Sequence, residues 1–355
     1  MSNGFKRSEL DLCYFYKHAE NGELIDLSVH VDDGLMTSTA VDEMRAIIDK
    51  LRDQFKIVKV HEGTSHFHLG MQIDFKKDGT AHISMSAKTT DIVEVWNVGN
   101  KTSSTPHDED LFKIEIDSPK LNDAEREKFH SSVQSCLYLS VKARPDITCA
   151  VNFLTTRVRE PTADDLKKLI KVIKYLNGTI EYAIRLGGDS DGKVKIYAFA
   201  DASYGVHPDG KSHTGIFITL GCGPLMWKSI KQKCVTRSSF EAEIIALSDI
   251  VSLSIWIRDM LREIGEIDHD EPVIIMEDNK AAITVLKNGA STSDRAKHIH
   301  IRNCFIQQFI ESGEFVMKHC PTKEMVADIF TKPLFCRLYC YLRDYLLGYK
   351  RSSIT

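Results

Sequence analysis

The stretch VKIYAFADASYG, at residues 194–205, decides the fold of the C-terminal half of the chain. Its apolar run predicts a strand, and Asp201 places an acid at the end of that strand or just past it. Two more strand-like runs follow without a helix between them, at about 213–220 and 225–234. Three strands in a row predict an antiparallel meander.

Strands and helices alternate after the meander. The pattern predicts a helix at about 239–263, a strand at 272–277, helices at 279–288 and about 296–312, a strand at 314–319 and a last helix from about 323. Such alternation indicates parallel additions to the same sheet. We therefore expect an α/β (mixed α+β) chain whose second part is a mixed five-stranded sheet flanked by helices.

The N-terminal half begins with hairpin patterns and continues with helices. Asn21-Gly22 and Asp32-Asp33-Gly34 are turn sequences next to β-rich runs, so Asp32 and Asp33 are expected at a hairpin tip. Thr39 is expected to cap the next helix. Further strands are predicted at about 67–75 and 81–85, and further helices at about 122–139, 147–157 and from Thr162.

Length and composition predict two ordinary globular domains. The chain has 355 residues, of which 43% are hydrophobic and 27% charged. The run GGDSDG is typical of a flexible linker, so we assign 1–186 to a first domain, 187–192 to a linker, 193–335 to a second domain and 336–355 to a C-terminal tail.

Several function classes are disfavoured by composition. No apolar run is long enough for a membrane span or a signal peptide, so we expect an intracellular protein, cytoplasmic or nuclear, with no membrane partner. Nine cysteines scattered singly are typical of reduced thiols. The formal net charge of −4 gives no indication of nucleic-acid binding, which therefore requires a local basic surface.

Four acids of the second domain stand out by their positions. Asp201 ends the first strand, and Asp278 follows the apolar run VIIM, although it also suits the N-cap of the next helix. Ser238 and Glu241 have the spacing of a capping box, which leaves Glu243 as the free acid of the long helix. Asp328, in the last helix, would by itself be taken for a surface acid.

These four acids come from four different elements, which suggests a shared task. Hard divalent cations such as Mg²⁺ bind all-oxygen clusters, and two such ions stabilise the attacking and leaving oxygens of a phosphodiester. We therefore expect Asp201, Glu243, Asp278 and Asp328 to form a two-ion site for Mg²⁺, for which Mn²⁺ could substitute.

At these residues the sequence resembles the ribonuclease H domain of copia-type long-terminal-repeat retrotransposon Pol polyproteins. Five segments occur in the family's order and spacing: ADASYG at 200–205, TRSSFEAE at 236–243, EDNKAA at 277–282, KHIHIR at 297–302 and ADIFTKPL at 327–334. Upstream, HVDD at 30–33 resembles the reverse-transcriptase Tyr-Val-Asp-Asp hairpin. FHLG at 67–70, STP at 104–106 and RPDI at 144–147 resemble later segments of the same polyproteins.

The resemblance implies a function for the four acids. They would catalyse endonucleolytic hydrolysis of the RNA strand of an RNA–DNA hybrid and leave a 5′-phosphate. The expected partners are such a hybrid or other nucleic acid, and other Pol segments. A basic run without acids supplies the candidates for backbone contacts, unless it is only a solvated hairpin: Lys228, Lys231, Lys233 and Arg237.

The resemblance also implies a truncated polymerase. The family's palm carries a further metal-binding aspartate on an earlier strand, and the 31 residues before Asp32 contain no matching motif. His30 also replaces the usual aromatic residue. Asp32 and Asp33 are therefore expected to be a polymerase remnant, inactive unless a missing segment is supplied in trans.

Two alternatives stay open beside the ribonuclease. One is a catalytically inert retroelement remnant or a co-opted nucleic-acid-binding protein. The other is a resolvase- or integrase-like member of the wider fold that acts on DNA, which the upstream motifs disfavour. A zinc site is a weaker hypothesis, drawn from residues whose spacing matches no tight zinc pattern: His298, His300, Cys304, His319 and Cys320.

Overall fold

A computed structural model describes residues 4–55, 57–187, 194–288 and 297–351. The described strands are β1 Lys6–Arg7, β2 Tyr14–His18, β3 Leu24–His30, β4 Asp33–Thr37, β5 Ser65–His68, β6 Met71–Phe75, β7 Ala81–Ser84, β8 Ala183–Leu186, β9 Tyr197–Ser203, β10 His213–Thr219, β11 Met226–Lys231, β12 Val273–Glu277 and β13 Phe315–His319.

Helices fill the intervals between the strands. The described α-helices are α1 Val41–Gln54, α2 Ser86–Trp96, α3 Asp123–Lys142, α4 Thr148–Thr155, α5 Ala163–Asn177, α6 Ser239–Glu263, α7 Lys280–Asn288, α8 Lys297–Glu311 and α9 Cys336–Leu346. Short 3-10 helices lie at Pro145–Ile147, Thr322–Glu324 and Val326–Phe330.

The C-terminal sheet has the predicted mixed five-stranded form. Its strand order is β11-β10-β9-β12-β13, with β9, β10 and β11 antiparallel and β12 and β13 added parallel to β9. Strands β9 and β12 are buried on both faces, which explains their nearly continuous apolar sequences. The carboxyl ends of β9 and β12 therefore meet at one edge of the sheet.

Small residues let the long helix approach this sheet. Ala198 and Ala200 of β9 share a core with α6, whereas Tyr197 and Phe199 point to the opposite face. Ser238 begins α6 as expected, because its hydroxyl accepts a hydrogen bond from the Glu241 amide at 3.2 Å. The capping box is incomplete, since the Glu241 carboxylate accepts from the Arg237 amide instead.

Gly215 permits the second close approach. It pairs with Asp201 across β9 and β10, and the 3-10 helix Val326–Phe330 crosses over it. A Cβ atom at Gly215 would lie 2.6 Å from the Ala327 carbonyl oxygen and 2.7 Å from Thr331 Cγ2.

The prediction of one helix from about 323 is wrong in form. Two 3-10 turns come first, and α9 begins only after Pro333.

The first sheet contains the predicted hairpin tip. Strands β1 to β4 are ordered along the chain, and α1 packs on them through Ile47. His30 pairs with Asp33, so Val31 and Asp32 form the two-residue turn. The predicted Thr39 cap is wrong, because α1 begins after Ala40, with no side-chain cap bond, and the Thr39 hydroxyl donates to Glu23.

The second sheet and the middle helices form a core that continues into the C-terminal part. Strands β5 to β8 are ordered along the chain, and helices α2 to α5 pack beside them. Fully buried Arg144 donates to Asp146 at 2.8 Å, and Tyr339 of α9 donates to the Asp146 carbonyl at 2.9 Å. Part of the predicted tail is thus a packed helix.

The domain boundary lies mostly outside the described residues. Of the predicted linker, 187–192, only Gly187 is described, and it forms a β-bridge with Cys222. The nine cysteines form no disulfide in the structure. No helix in the described ranges has both the length and the apolar character that a membrane crossing requires.

We predict that Gly215→Ala lowers the free energy of unfolding by about 2 kcal/mol or more, because the new methyl group would displace the Ala327 carbonyl. Thermal denaturation of the purified protein measures this. Gly34→Ala, where the nearest atom is a flexible Leu27 side chain at 3.3 Å, is the control. Equal stability of Gly215→Ala and the unsubstituted protein would contradict the close approach.

Candidate active site

The four predicted acids are carried by the elements around one edge of the C-terminal sheet. Asp201 lies on β9, Asp278 directly follows β12, Glu243 lies near the start of α6, and Asp328 belongs to the 3-10 helix over Gly215. The ends of β9 and β12 are neighbours, and α6 and the 3-10 helix pack on opposite faces. The fold therefore brings together acids that are distant in sequence.

Asp201 is held by groups from the segment after Asp328. It is only 2% exposed, and the Thr331 hydroxyl donates a hydrogen bond to its Oδ2 atom. The Lys332 ammonium donates to Asp201 Oδ1 at 3.1 Å and to Asp328 Oδ1 at 2.7 Å. Burial and the charge of Asp201 raise the pKa of Asp328 to about 7.

Glu243 is the acid least compensated by the protein. It is 7% exposed, and its Oε2 atom has no hydrogen-bond partner among the described residues. Burial raises its pKa to about 10, and the charges of Asp201, Glu277 and Asp278 add to the effect. Because Glu241 bonds to the backbone at the helix start, Glu243 has no structural task there.

Asp278 does not cap helix α7. The Asn279 side chain accepts hydrogen bonds from the amides of Ala281 and Ala282 at 3.0 and 3.2 Å. Asn279 is therefore the N-cap, the role for which Asp278 was an alternative candidate. The Asp278 carboxylate accepts instead from the Thr322 hydroxyl at 3.2 Å. It is half-buried and stays available to the cluster.

Glu277 is a member of the cluster that sequence reasoning missed. It is fully buried at the end of β12, and burial, with the charges of Asp278 and Asp201, raises its pKa to about 8. Its Oε1 atom accepts from the Asn279 amide at 2.9 Å, whereas Oε2 has no partner among the described residues. The sequence carried one signal for Glu277, because it is an acid at the end of an apolar run typical of a strand covered on both faces.

Lys332 is the cation that the structure places among these acids. Burial opposes its charge, but Asp201 and Asp328 hold the pKa of Lys332 above its ordinary value. Within the described ranges, no three His, Cys, Asp or Glu side chains are arranged to hold a metal ion as they stand. The donor set nevertheless suits a hard divalent cation, because it is all oxygen and includes the buried Oε2 atom of Glu243, which has no partner among the described residues.

The predicted nucleic-acid contacts lie on and after the edge strand β11. Lys231 Nζ lies 2.9 Å from Asp209 Oδ2, so its charge is already compensated by an ion pair within the protein. Lys228 is half-buried, whereas Lys233 and Arg237 are exposed. These last two have the freest side chains for contact with a phosphate backbone.

The remaining candidate residues complete no metal site within the described ranges, although the Cys320 amide donates to the Glu277 carbonyl at 2.9 Å. Asp32 and Asp33 lie exposed on the first sheet. Of the zinc candidates, Cys304 Sγ lies 3.6 Å from His300 Nε2, and the His298 side chain is outside the described set. The described candidates form no group of three metal ligands.

The sheet order and the acids at its edge define a ribonuclease H-like fold in the C-terminal part. No protein-family model matches the chain. Among solved structures, the chain is similar to RNase H1 from Halobacterium salinarum NRC-1, with 14% identity, a TM-score of 0.26 and coverage of 36% of this chain and 86% of that one. LC11-RNase H1 from compost gives 18% identity, a TM-score of 0.29 and coverage of 39% and 92%.

Sequence relatives extend over both halves. The chain is 32% identical over 333 residues to the retrovirus-related Pol polyprotein from transposon RE2 of Arabidopsis thaliana, and 29% identical over 339 residues to that from TNT 1-94 of Nicotiana tabacum. Each match covers 93% of this chain but only 22% and 25% of the relative. An uncharacterized mitochondrial protein of Arabidopsis thaliana is 31% identical over 232 residues, which are 65% of this chain and 93% of that protein.

The chain belongs to the family of retrovirus-related Pol polyproteins of copia-type transposons. It spans about a fifth to a quarter of the length of the curated Pol polyproteins it matches. The resemblance in its motifs is thereby confirmed.

We predict that Glu243→Gln stabilises the metal-free protein by about 1 to 3 kcal/mol, because it removes a buried acid from among like charges. Thermal unfolding in the presence of a chelator measures the change. Glu241→Gln, two residues earlier on the same helix, is the matched control and should not stabilise the protein. A destabilised Glu243→Gln protein would show that the carboxylate is compensated after all.

Proposed function

We propose that the chain is a metal-dependent nuclease that cleaves the RNA strand of RNA–DNA hybrids. The observation that carries this proposal is the set of carboxylates at one sheet edge, four of them buried: Asp201, Glu243, Glu277, Asp278 and Asp328. Buried charges of one sign are costly unless a cation compensates them. A site that keeps so many acids together is suited to bind cations.

Three of the four predicted acids have a supporting contact that fits this use. Thr331 orients Asp201, Thr322 orients Asp278, and the 3-10 helix presents Asp328 over Gly215. Glu243 approaches from the α6 side, and its Oε2 atom has no hydrogen-bond partner in the described part of the chain. When bound by these residues, two Mg²⁺ ions, or Mn²⁺, would activate the attacking water and stabilise the leaving oxygen.

Glu277 has a supporting role in this proposal. One of its oxygens is used by the Asn279 amide, and the side chain is fully buried. When ionised, Glu277 adds to the negative potential at Glu243 and so favours cation binding. The four predicted acids, and not Glu277, are the proposed ligands.

The family supports a hybrid as substrate. Membership in the Pol polyproteins favours a nucleic acid of reverse transcription, and other Pol segments as partners. Hybrid recognition depends on helix shape, phosphates and 2′-hydroxyl groups rather than on base sequence. Lys228, Lys233 and Arg237 on or after the edge strand would contact the phosphates.

We predict that the protein cleaves a labelled RNA–DNA hybrid in Mg²⁺, and that a chelator abolishes cleavage. Asp278→Asn should lower the rate by on the order of 100-fold or more, because it weakens ion binding without touching the α7 cap. Glu241→Gln should retain the activity. The assay follows RNA fragments on a denaturing gel, with single-stranded RNA and duplex DNA as alternative substrates.

Two other results would reject this function. Folded protein that binds the hybrid without cutting it would indicate an inert or co-opted binding protein. Cleavage of duplex DNA in preference to the hybrid would indicate a resolvase- or integrase-like activity.

We also propose that this chain by itself does not polymerise DNA. Asp32 and Asp33 are exposed at the hairpin, and within the described residues they form no three-ligand group with another His, Cys, Asp or Glu. Primer extension on an RNA template should therefore give no product. Extension by the unsubstituted protein that Asp33→Asn abolishes would overturn the proposal.

A further inference from the structure

The Lys332 ammonium lies where the cluster needs positive charge. It bonds to Asp201 Oδ1 at 3.1 Å and to Asp328 Oδ1 at 2.7 Å, and the side chains of both acids are almost completely buried. The lysine side chain itself is 36% exposed. One cation thus bridges two acids that come from opposite ends of the C-terminal part.

The same turn that carries Asp328 carries Lys332. The Lys332 amide donates to the Asp328 carbonyl at 3.0 Å, and the Thr331 amide donates to it at 3.1 Å. The Thr331 side chain meanwhile reaches Asp201. The backbone therefore fixes the position of the Lys332 Cα atom, while its four-carbon side chain has several rotatable bonds.

We propose that Lys332 is a positioning residue that occupies the cation site of the metal-free protein and is displaced from it by a divalent ion. This inference rests on the proposed metal-dependent nuclease function. It assigns to Lys332 two effects: the lysine keeps the acids together before an ion arrives, and it lowers the affinity for that ion.

The competition follows from the geometry. Asp201 Oδ1 and Asp328 Oδ1, which now accept from Lys332, belong to carboxylates that would hold such an ion. An ammonium group and a divalent cation repel each other strongly at such separations in a buried site. Because more than a third of the lysine side chain is exposed, it has a route to solvent.

Amine labelling of the unsubstituted full-length chain tests the displacement directly. Acetic anhydride should modify Lys332 several-fold faster in saturating Mg²⁺ than in a chelator, as measured by peptide mass spectrometry. Exposed Lys323 of the neighbouring 3-10 helix is the internal control and should react equally in both conditions. An unchanged Lys332 rate in protein that binds Mg²⁺ would overturn the inference.

Calorimetric titration with Mg²⁺ tests the effect on affinity. Lys332→Met should bind the ion roughly tenfold more tightly, because the competing charge is gone, and should unfold at a lower temperature in a chelator. Lys332→Arg keeps the charge and should bind no more tightly than the unsubstituted protein. Lys323→Met is the matched control for loss of a nearby lysine.

The outcomes separate this inference from the function on which it rests. Weaker or equal Mg²⁺ binding by Lys332→Met, with binding by the unsubstituted protein intact, would overturn the role of Lys332 alone. Absence of Mg²⁺ binding in both proteins, together with absence of hybrid cleavage, would overturn the metal-dependent function and this inference with it.

Discussion

Repulsion among buried carboxylates is the constraint on which the C-terminal part depends. Asp201, Glu243, Glu277 and Asp328 are withdrawn from water, and burial together with their mutual charges raises the pKa of Glu243, Glu277 and Asp328. A fold selected only for stability would not collect these groups, because each one disfavours the charge of the next. Bringing these acids together has a physical reason if the site binds cations.

The scaffold around the acids is correspondingly tight. Strands β9 and β12 are buried on both faces, so their ends cannot shift without disturbing two cores. Gly215 admits the 3-10 helix at a distance that no other residue would allow, and this places Asp328 over Asp201. Rigid elements thus hold like charges close together. Lys332 and Thr331 compensate the acids on one side of the cluster, Asp201 and Asp328.

Sequence reasoning could predict the sheet and much of the site, because both leave local patterns. Apolar runs and their order predicted the strand arrangement. The Glu241 carboxylate is used at the start of α6, but by the Arg237 amide and not in the expected capping box. The pattern did not reveal Lys332, because its position depends on a contact with Asp201, 131 residues away. Glu277 was missed although its place at the end of a doubly covered strand is a local signal.

The 3-10 turns and the actual start of the final helix were missed for the same kind of reason. The pattern of residues 323–330 suits an α-helix, but the crossing over Gly215 and the extended backbone of Met325 divide it into short turns. Tyr339 of α9 is anchored on Asp146 of the middle part, a partner that no local pattern indicates. Tertiary contacts therefore decided the structure after Pro321.

Residues upstream of the C-terminal sheet help to hold the acid site in place. Phe112 packs against His207 and His213, whose pKa values burial lowers to about 4 and 3, so both rings are neutral. His213 bonds to the Ser229 hydroxyl, which donates to the Phe330 carbonyl at the end of the 3-10 helix that carries Asp328. Together with the α9 anchor, this chain of contacts makes the position of Asp328 depend on residues of the first half. Contacts thus join the ribonuclease H-like part of this chain to the residues before it.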